Sequence, residues 1–199
     1  VASSEQLTIL GDLSVKSGGV LSGEGTVNVA INDNSTPVSN SGTISVLMFI
    51  YVVSPDSEKA PITPTNYGGN LLIVMQSGSG SATAMLSANE NLNVTGVFAF
   101  YTASAEMDLT VDLSQTISGE AYTGEITVDA VIFAGTDSGI TGSTVSLVLG
   151  SKRAILSIGA TGLLMEGTTG EFNFSAGESI IECSGNWESY GTFVPENSL

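Results

Sequence analysis

The chain of 199 residues contains no histidine and a single cysteine, Cys183. Without histidine, Ser-His-Asp and Cys-His catalysis and the usual histidine-containing zinc, copper and haem sites are excluded. A lone cysteine also excludes an intrachain disulfide, so we interpret Cys183 as a small apolar residue packed between Ile181 and Trp187. We therefore predict a protein that is not an enzyme and that has no cofactor and no metal site.

Basic residues are almost as scarce, with four Lys and Arg against 20 Asp and Glu and a net charge of −16. Nucleic acids and anionic membranes bind to cationic patches, and four basic residues cannot build one. We therefore predict no nucleic-acid partner. The polar surface must come mainly from the 48 Ser and Thr residues, a composition typical of exported proteins.

Long hydrophobic runs are missing as well. The longest wholly apolar run covers residues 46–53, which is far short of the ~20 residues of a membrane-spanning helix. We therefore predict no membrane span. The chain starts Val1-Ala2-Ser3-Ser4 without Met, which we interpret as the processed end of an exported protein whose signal peptide has been removed. The expected location is extracellular or on the cell surface.

Helical periodicity is nearly absent, whereas strict alternation of apolar and polar residues recurs along the chain. The clearest case is residues 107–113, where Met, Leu, Val and Leu alternate with Asp, Thr and Asp. Short alternating strands between Gly, Asn and Ser turns predict an all-β fold, an antiparallel β-sandwich of the Ig-like or jelly-roll type. No repeat of fixed period is visible, which disfavours a solenoid.

Three segments are apolar at every position, so both faces of their strands are apolar: residues 46–53, 71–75 and 97–101. A strand with two apolar faces implies that something covers its outer side. One candidate is a neighbouring subunit. The other is a long loop of the same chain, such as the proline-containing residues 54–69.

The N-terminal segment alternates too, with Leu7, Ile9, Leu13 and Val15 on one side and Gly11 between them. Glycine clusters follow it, and glycine tolerates positive φ. We interpret residues 1–23 as an arm and 24–199 as a head domain. The alternative is that residues 6–15 form the first strand of the chain's own sheet. The proposed hinge glycines are Gly18, Gly19, Gly23 and Gly25.

Three sequons, at Asn34, Asn93 and Asn173, are candidate sites for N-linked glycans. The run Asn32-Asp33-Asn34 contains oxygen ligands that suit calcium, although a turn explains it equally well. Trp187 and Tyr190 are candidate aromatic contacts for a sugar, with packing in a loop as the alternative.

An alternating N-terminal arm, a glycine hinge and a helix-free, disulfide-free, Ser/Thr-rich domain together resemble the subunits of archaeal surface filaments, the threads and bundling pili that polymerise by donor-strand complementation. The resemblance implies that Leu7, Ile9, Gly11, Leu13 and Val15 fill a groove in an identical subunit, and that exposed surfaces carry N-glycans. It implies a structural role in adhesion, cell contact or biofilm. The alternatives are a discrete adhesive or glycan-binding β-sandwich and a viral capsid jelly roll.

Overall fold

A computed structural model describes residues 1–10, 12–31, 38–52, 56–75, 80–103, 107–135, 143–150, 154–166 and 171–196. Within these residues the secondary structure is all β, as expected from the high content of Val, Ile and Thr. The strands are β1 (Gln6–Ile9), β2 (Leu13–Val15), β3 (Val20–Ile31), β4 (Val38–Asn40), β5 (Thr43–Val52), β6 (Asp56–Ile62), β7 (Asn66–Tyr67), β8 (Leu71–Met75), β9 (Gly80–Leu86), β10 (Leu92–Thr102), β11 (Met107–Thr116), β12 (Glu125–Gly135), β13 (Thr144–Val148), β14 (Ile155–Glu166), β15 (Glu171–Ser175), β16 (Ile180–Cys183), β17 (Trp187–Ser189) and β18 (Thr192–Val194). No helix of the described residues is long and apolar enough to cross a membrane.

The strands pair in parallel, so the prediction of an antiparallel β-sandwich is wrong. The larger sheet, sheet A, has the order β1, β3, β5, β7 with β8, β10, β12, β14, and finally β16 with β17. The second, sheet C, has the order β18, β15, β13, β11, β9, β6, and β2 pairs with β4 in a small third sheet. The one antiparallel contact of the described chain is an isolated bridge between Gln115 and Ala121.

From β5 onward the chain passes alternately through sheet A and sheet C, and each circuit lies directly on the previous one. This arrangement is a β-solenoid, the architecture that the missing period had disfavoured. The period is hidden because the circuits differ in length. In register, Val27 pairs with Met48, 21 residues later, whereas Phe98 pairs with Val131, 33 residues later.

Sheet A consists of two halves that meet at a row of glycines. The register shifts after Ser22 in β3, after Val94 in β10 and after Val128 in β12, and such bulges bend a sheet. At this level neighbouring circuits approach so closely that a Cβ on Gly162 would lie 2.0 Å from the carbonyl oxygen of Asn186. Other glycines of the row are equally crowded: Gly23, Gly25, Gly68, Gly69, Gly96, Gly159 and Gly185.

The interior is filled by side chains that stack in columns through successive circuits. One column of sheet A holds Ile50, Ile73, Phe100 and Phe133 in register, and all four are fully buried. Phe133 bridges to sheet C, where its ring centre lies 6.2 Å from that of Phe174. Burying these side chains between the sheets provides the main driving force for folding.

The expected donor-strand arm is the first circuit of the chain's own solenoid. Leu7 pairs with Val27 and Ile9 with Val29 in β3, while Leu13 pairs with Val38 in β4. Val15 lies in the interior cluster. The physical reason is simple: in a parallel stack, an alternating strand finds its partner one circuit away in the same chain.

Candidate functional site

The outward side chains of the second half of sheet A form the most distinctive surface of the molecule. They come from β5, β8, β10, β12 and β14, which lie side by side. The three segments with two apolar faces in the sequence form β5, β8 and most of β10, so they are neighbours in this sheet. We call this surface the apolar face, and its members are Leu47, Phe49, Tyr51, Leu72, Val74, Val97, Ala99, Tyr101, Ala130, Ile132 and Leu164.

Alternation along each strand fixes which side chains point outward. On β8, Leu71 and Ile73 are fully buried in the interior cluster, and Leu72 between them is only partly buried. On β5, the outward rings of Phe49 and Tyr51 stack with centres 5.8 Å apart. No member of the apolar face is charged, although one residue in eight of the chain is. The face is therefore both apolar and neutral.

Two tyrosines cover a valine on this face. In register, Val74 lies between Tyr51 and Tyr101, and it is only 1% exposed although it lies outside the interior cluster. Burial raises the pKa of Tyr51. Burial also raises the pKa of Tyr101, and the nearby Tyr51 adds to this shift. The two phenols therefore lie near each other above Val74.

Strand geometry sets the size of the apolar face. Five strands about 4.8 Å apart, each with two or three outward residues spaced by about 6.7 Å, cover on the order of 500 Å². The largest apolar patch on a typical monomer is about 300–600 Å² and is often an interaction site. The face is thus large enough to bind a partner.

Sheet C presents the opposite chemistry on its outer side. Its outward residues on β11 are Asp108, Thr110 and Asp112, which alternate with the fully buried Leu109 and Val111. The neighbouring strands continue the pattern with hydroxyl and amide side chains. We call this surface the hydroxyl face, and its members are Ser81, Thr83, Asp108, Thr110, Asp112, Thr144, Ser146, Asn173, Ser175 and Thr192.

The first half of sheet A is polar outside as well, with Ser45, Asn66, Asn93 and Thr127 at outward positions. Asn93 is therefore on a polar surface, and so is Asn173 on the hydroxyl face; both are half-buried. Their glycosylation stays a prediction. Asn34, and with it the calcium candidate at residues 32–34, lies outside the described residues.

Asn28 marks the margin of the apolar face. It alternates with the fully buried Val27 and Val29, and in register it lies beside Phe49. Its side chain is 6% exposed, and its Oδ1 atom is buried without a hydrogen-bond partner. A buried acceptor without a donor costs about 1–3 kcal/mol. Such an atom indicates a contact that the isolated chain does not make.

The predicted donor-strand residues do not join this surface. Leu7, Ile9, Leu13 and Val15 lie in the first circuit, and Gly11 is outside the described residues. Among the hinge glycines, Gly18 has φ +77° in the turn where the Gly19 amide donates to Lys16 O. Gly23 and Gly25 belong to the crowded glycine row, where a Cβ on Gly23 would meet the backbone of Val1.

The aromatic candidates for sugar binding differ from each other. The Trp187 ring stacks on Phe174 at 6.0 Å and meets Phe193 edge-on at 4.9 Å. Its packing explains Trp187 without a ligand. Tyr190 is exposed. Within the described part of the chain, no group of three His, Cys, Asp or Glu side chains is placed to hold a metal ion.

The sequence reveals that β5, β8 and β10 need a cover but not that they are adjacent, and it gives no sign of Leu164 or Ile132 as members of the same surface. Comparison with known proteins adds no candidate, because no family model, no curated protein and no solved structure matches the chain.

Proposed function

We propose that the chain is a structural protein of the cell exterior that assembles with identical copies into a filament or an adhesive layer. The observation that carries the proposal is the apolar face, a neutral surface on an otherwise acidic, hydroxyl-rich solenoid. Surfaces of this kind are sites of protein association.

The long-loop alternative for covering this surface loses its support. The proline-containing segment that might have covered β5, β8 and β10 contributes β6 to sheet C, where it pairs with β9. Described residues of that segment are therefore used in the wall of the solenoid. A neighbouring subunit is the cover that remains from the sequence-based alternatives.

The solenoid itself suits a structural role. Every circuit adds backbone hydrogen bonds to the next, and the interior columns continue through successive circuits. Eight levels of sheet A at about 4.8 Å give a stack on the order of 35 Å long. Such a stack resists bending without a disulfide, which fits an exported protein with one cysteine.

Charge sets the conditions for assembly. Copies with a net charge of −16 repel one another, and salt screens this repulsion because the Debye length falls to about 8 Å at 0.15 M. Carboxylates in water titrate near about pH 4, so acid removes most of the repulsion. Assembly should therefore strengthen with salt and with acidification from pH 7 to pH 4.

The test measures the assembly state of the native chain. Light scattering after size exclusion at rising protein concentration, and negative-stain microscopy, are carried out at pH 7 and pH 4 in 0.15 M salt. We expect species larger than the 20.3 kDa monomer, with a larger fraction at pH 4. A protein that stays monomeric under all these conditions overturns the proposal.

A further inference from the structure

We infer that the apolar face binds the same face of a second copy, so that two solenoids pack with sheet A against sheet A. This inference rests on the proposed function and specifies the contact between copies. It commits to one occupant, a second copy of this chain, and to one symmetry, a two-fold interface in which both copies use the same residues.

The chemistry of the other described surfaces selects this partner. If a second copy presented its hydroxyl face, side chains such as Asp108, Thr110 and Asp112 would lose water against Phe49 and Leu72 without gaining hydrogen bonds. Burying polar groups in this way is costly, and burying a carboxylate is more so. The first half of sheet A would bury Ser45, Asn66 and Thr127 instead. In the described chain, only the apolar face matches itself in size and polarity.

The charge distribution points the same way. The apolar face is neutral, so two such faces meet without placing like charges opposite each other. Asp108 and Asp112 lie on sheet C and remain in water on the far side of each copy. A partner rich in Lys or Arg would be attracted to those carboxylates and would find no anion on the apolar face.

The area predicts the strength of the contact. About 500 Å² per copy gives on the order of 1,000 Å² in total, which is the lower limit for a specific interface. Facing sheets pack about 10 Å apart with interdigitated side chains, and the flat rows around Leu72 and Ile132 suit such packing. We therefore expect a reversible dimer at micromolar concentrations. Asn28, with its unpaired acceptor at the margin of the face, is a candidate for a new hydrogen bond.

The experiment introduces a charge at the middle of the face. Leu72→Lys, with Ile132→Lys as a second variant, is compared with Thr110→Lys at the matching half-buried position of the hydroxyl face. Circular dichroism and thermal melting identify the variants that fold. By sedimentation equilibrium in 0.15 M salt, we expect the dimer dissociation constant to rise at least about 30-fold for the sheet A variants, the scale of an interface hot spot. Thr110→Lys should change it less than about threefold.

A mixing arm tests the symmetry. Tagged Leu72→Lys protein is mixed with untagged wild-type chain, and co-purification is measured. A shared face predicts no capture, because the variant has lost the surface that both copies use. If the apolar face instead bound a different surface, the variant would still offer that surface and would capture the wild-type chain.

The outcomes separate the two ideas. Self-association that is unchanged by both folded sheet A variants, or capture of wild type by the variant, overturns the paired-face inference and leaves the structural function in place. A wild-type chain that is monomeric at pH 7 and pH 4, without particles in the microscope, overturns both.

Discussion

The outer faces of sheet A and sheet C are built on the same kind of strand but differ in what they expose. Both have inward side chains that are almost completely buried, such as Ile73 in sheet A and Leu109 in sheet C. Outward, β8 carries Leu72 and Val74, whereas β11 carries Asp108, Thr110 and Asp112. Folding alone requires only the inward pattern. The apolar outward residues of sheet A therefore reflect a demand beyond folding, which we assign to binding a second copy.

The largest expected effect separates inward from outward residues within sheet A. Phe133→Ala removes a ring that contacts Phe100, Phe172 and Phe174, and we expect the free energy of unfolding to fall by about 3–5 kcal/mol. Ile132→Ala, the adjacent outward residue, should cost about 1 kcal/mol in the monomer. Urea denaturation of dilute protein measures both. Equal losses would show that Ile132 is part of the core and not of a free surface.

Interior and surface tyrosines extend this comparison to high pH. Tyr67 is fully buried and donates to Thr63 O at 3.1 Å, and Tyr122 donates to Glu90 O and Glu125 O. Burial raises the pKa of both phenols strongly. The neutral form is favoured in the fold, so this contribution to stability is complete below about pH 10, the ordinary tyrosine value, and is lost as the pH rises above it.

The measurement is the urea midpoint at pH 8 and at pH 11. We expect wild-type protein to lose stability between these values, and Tyr67→Phe to lose less of it, although its stability at pH 8 is reduced by the missing hydrogen bond. Tyr51→Phe on the apolar face is the matched control and should retain nearly the wild-type dependence. A wild-type midpoint that does not change would contradict the burial of the two interior phenols.

Much of the strand content and of the inward pattern could be predicted from the sequence, because alternation reports which residues face the core. Residues 107–113, for example, form β11 with the expected buried and exposed sides. Alternation is the same in parallel and antiparallel sheets, however, so it could not distinguish the solenoid from a sandwich. Circuit lengths that vary from 21 residues after Val27 to 33 after Phe98 removed the period that would have revealed it.

A weaker signal was present in the glycines. Gly23, Gly96 and Gly162 occur at the bend of sheet A in three separate circuits, because no Cβ fits between neighbouring backbones there. Interpreted as hinge residues, Gly23 and Gly25 suggested a mobile arm. The candidate face was half visible in the same way: its apolar segments were evident, but their adjacency depends on register, which is a property of the folded stack.

A smaller effect concerns the two tyrosines above Val74. Burial raises the pKa of Tyr51 and Tyr101, and a second copy over the apolar face would bury both phenols further. Spectrophotometric titration of phenolate should therefore give a higher midpoint in concentrated than in dilute wild-type protein. Tyr51→Phe/Tyr101→Phe should lack this concentration dependence, and its absence in the wild type would place these tyrosines outside the interface.

The smallest expected effect is on the hydroxyl face. Thr110→Val replaces an outward hydroxyl by a methyl group of similar shape, and a surface substitution of this kind changes the free energy of unfolding by less than about 0.5 kcal/mol. Self-association should also be unchanged, because one added methyl among Asp108, Asp112 and Ser146 does not create an apolar surface. The matched change on the other side, Leu72→Thr, should weaken the dimer at a similarly small cost to the monomer. Sedimentation equilibrium and urea denaturation of both variants compare the faces directly; if Thr110→Val weakened the dimer as much as Leu72→Thr, the distinction between a binding face and a solvent face would fail.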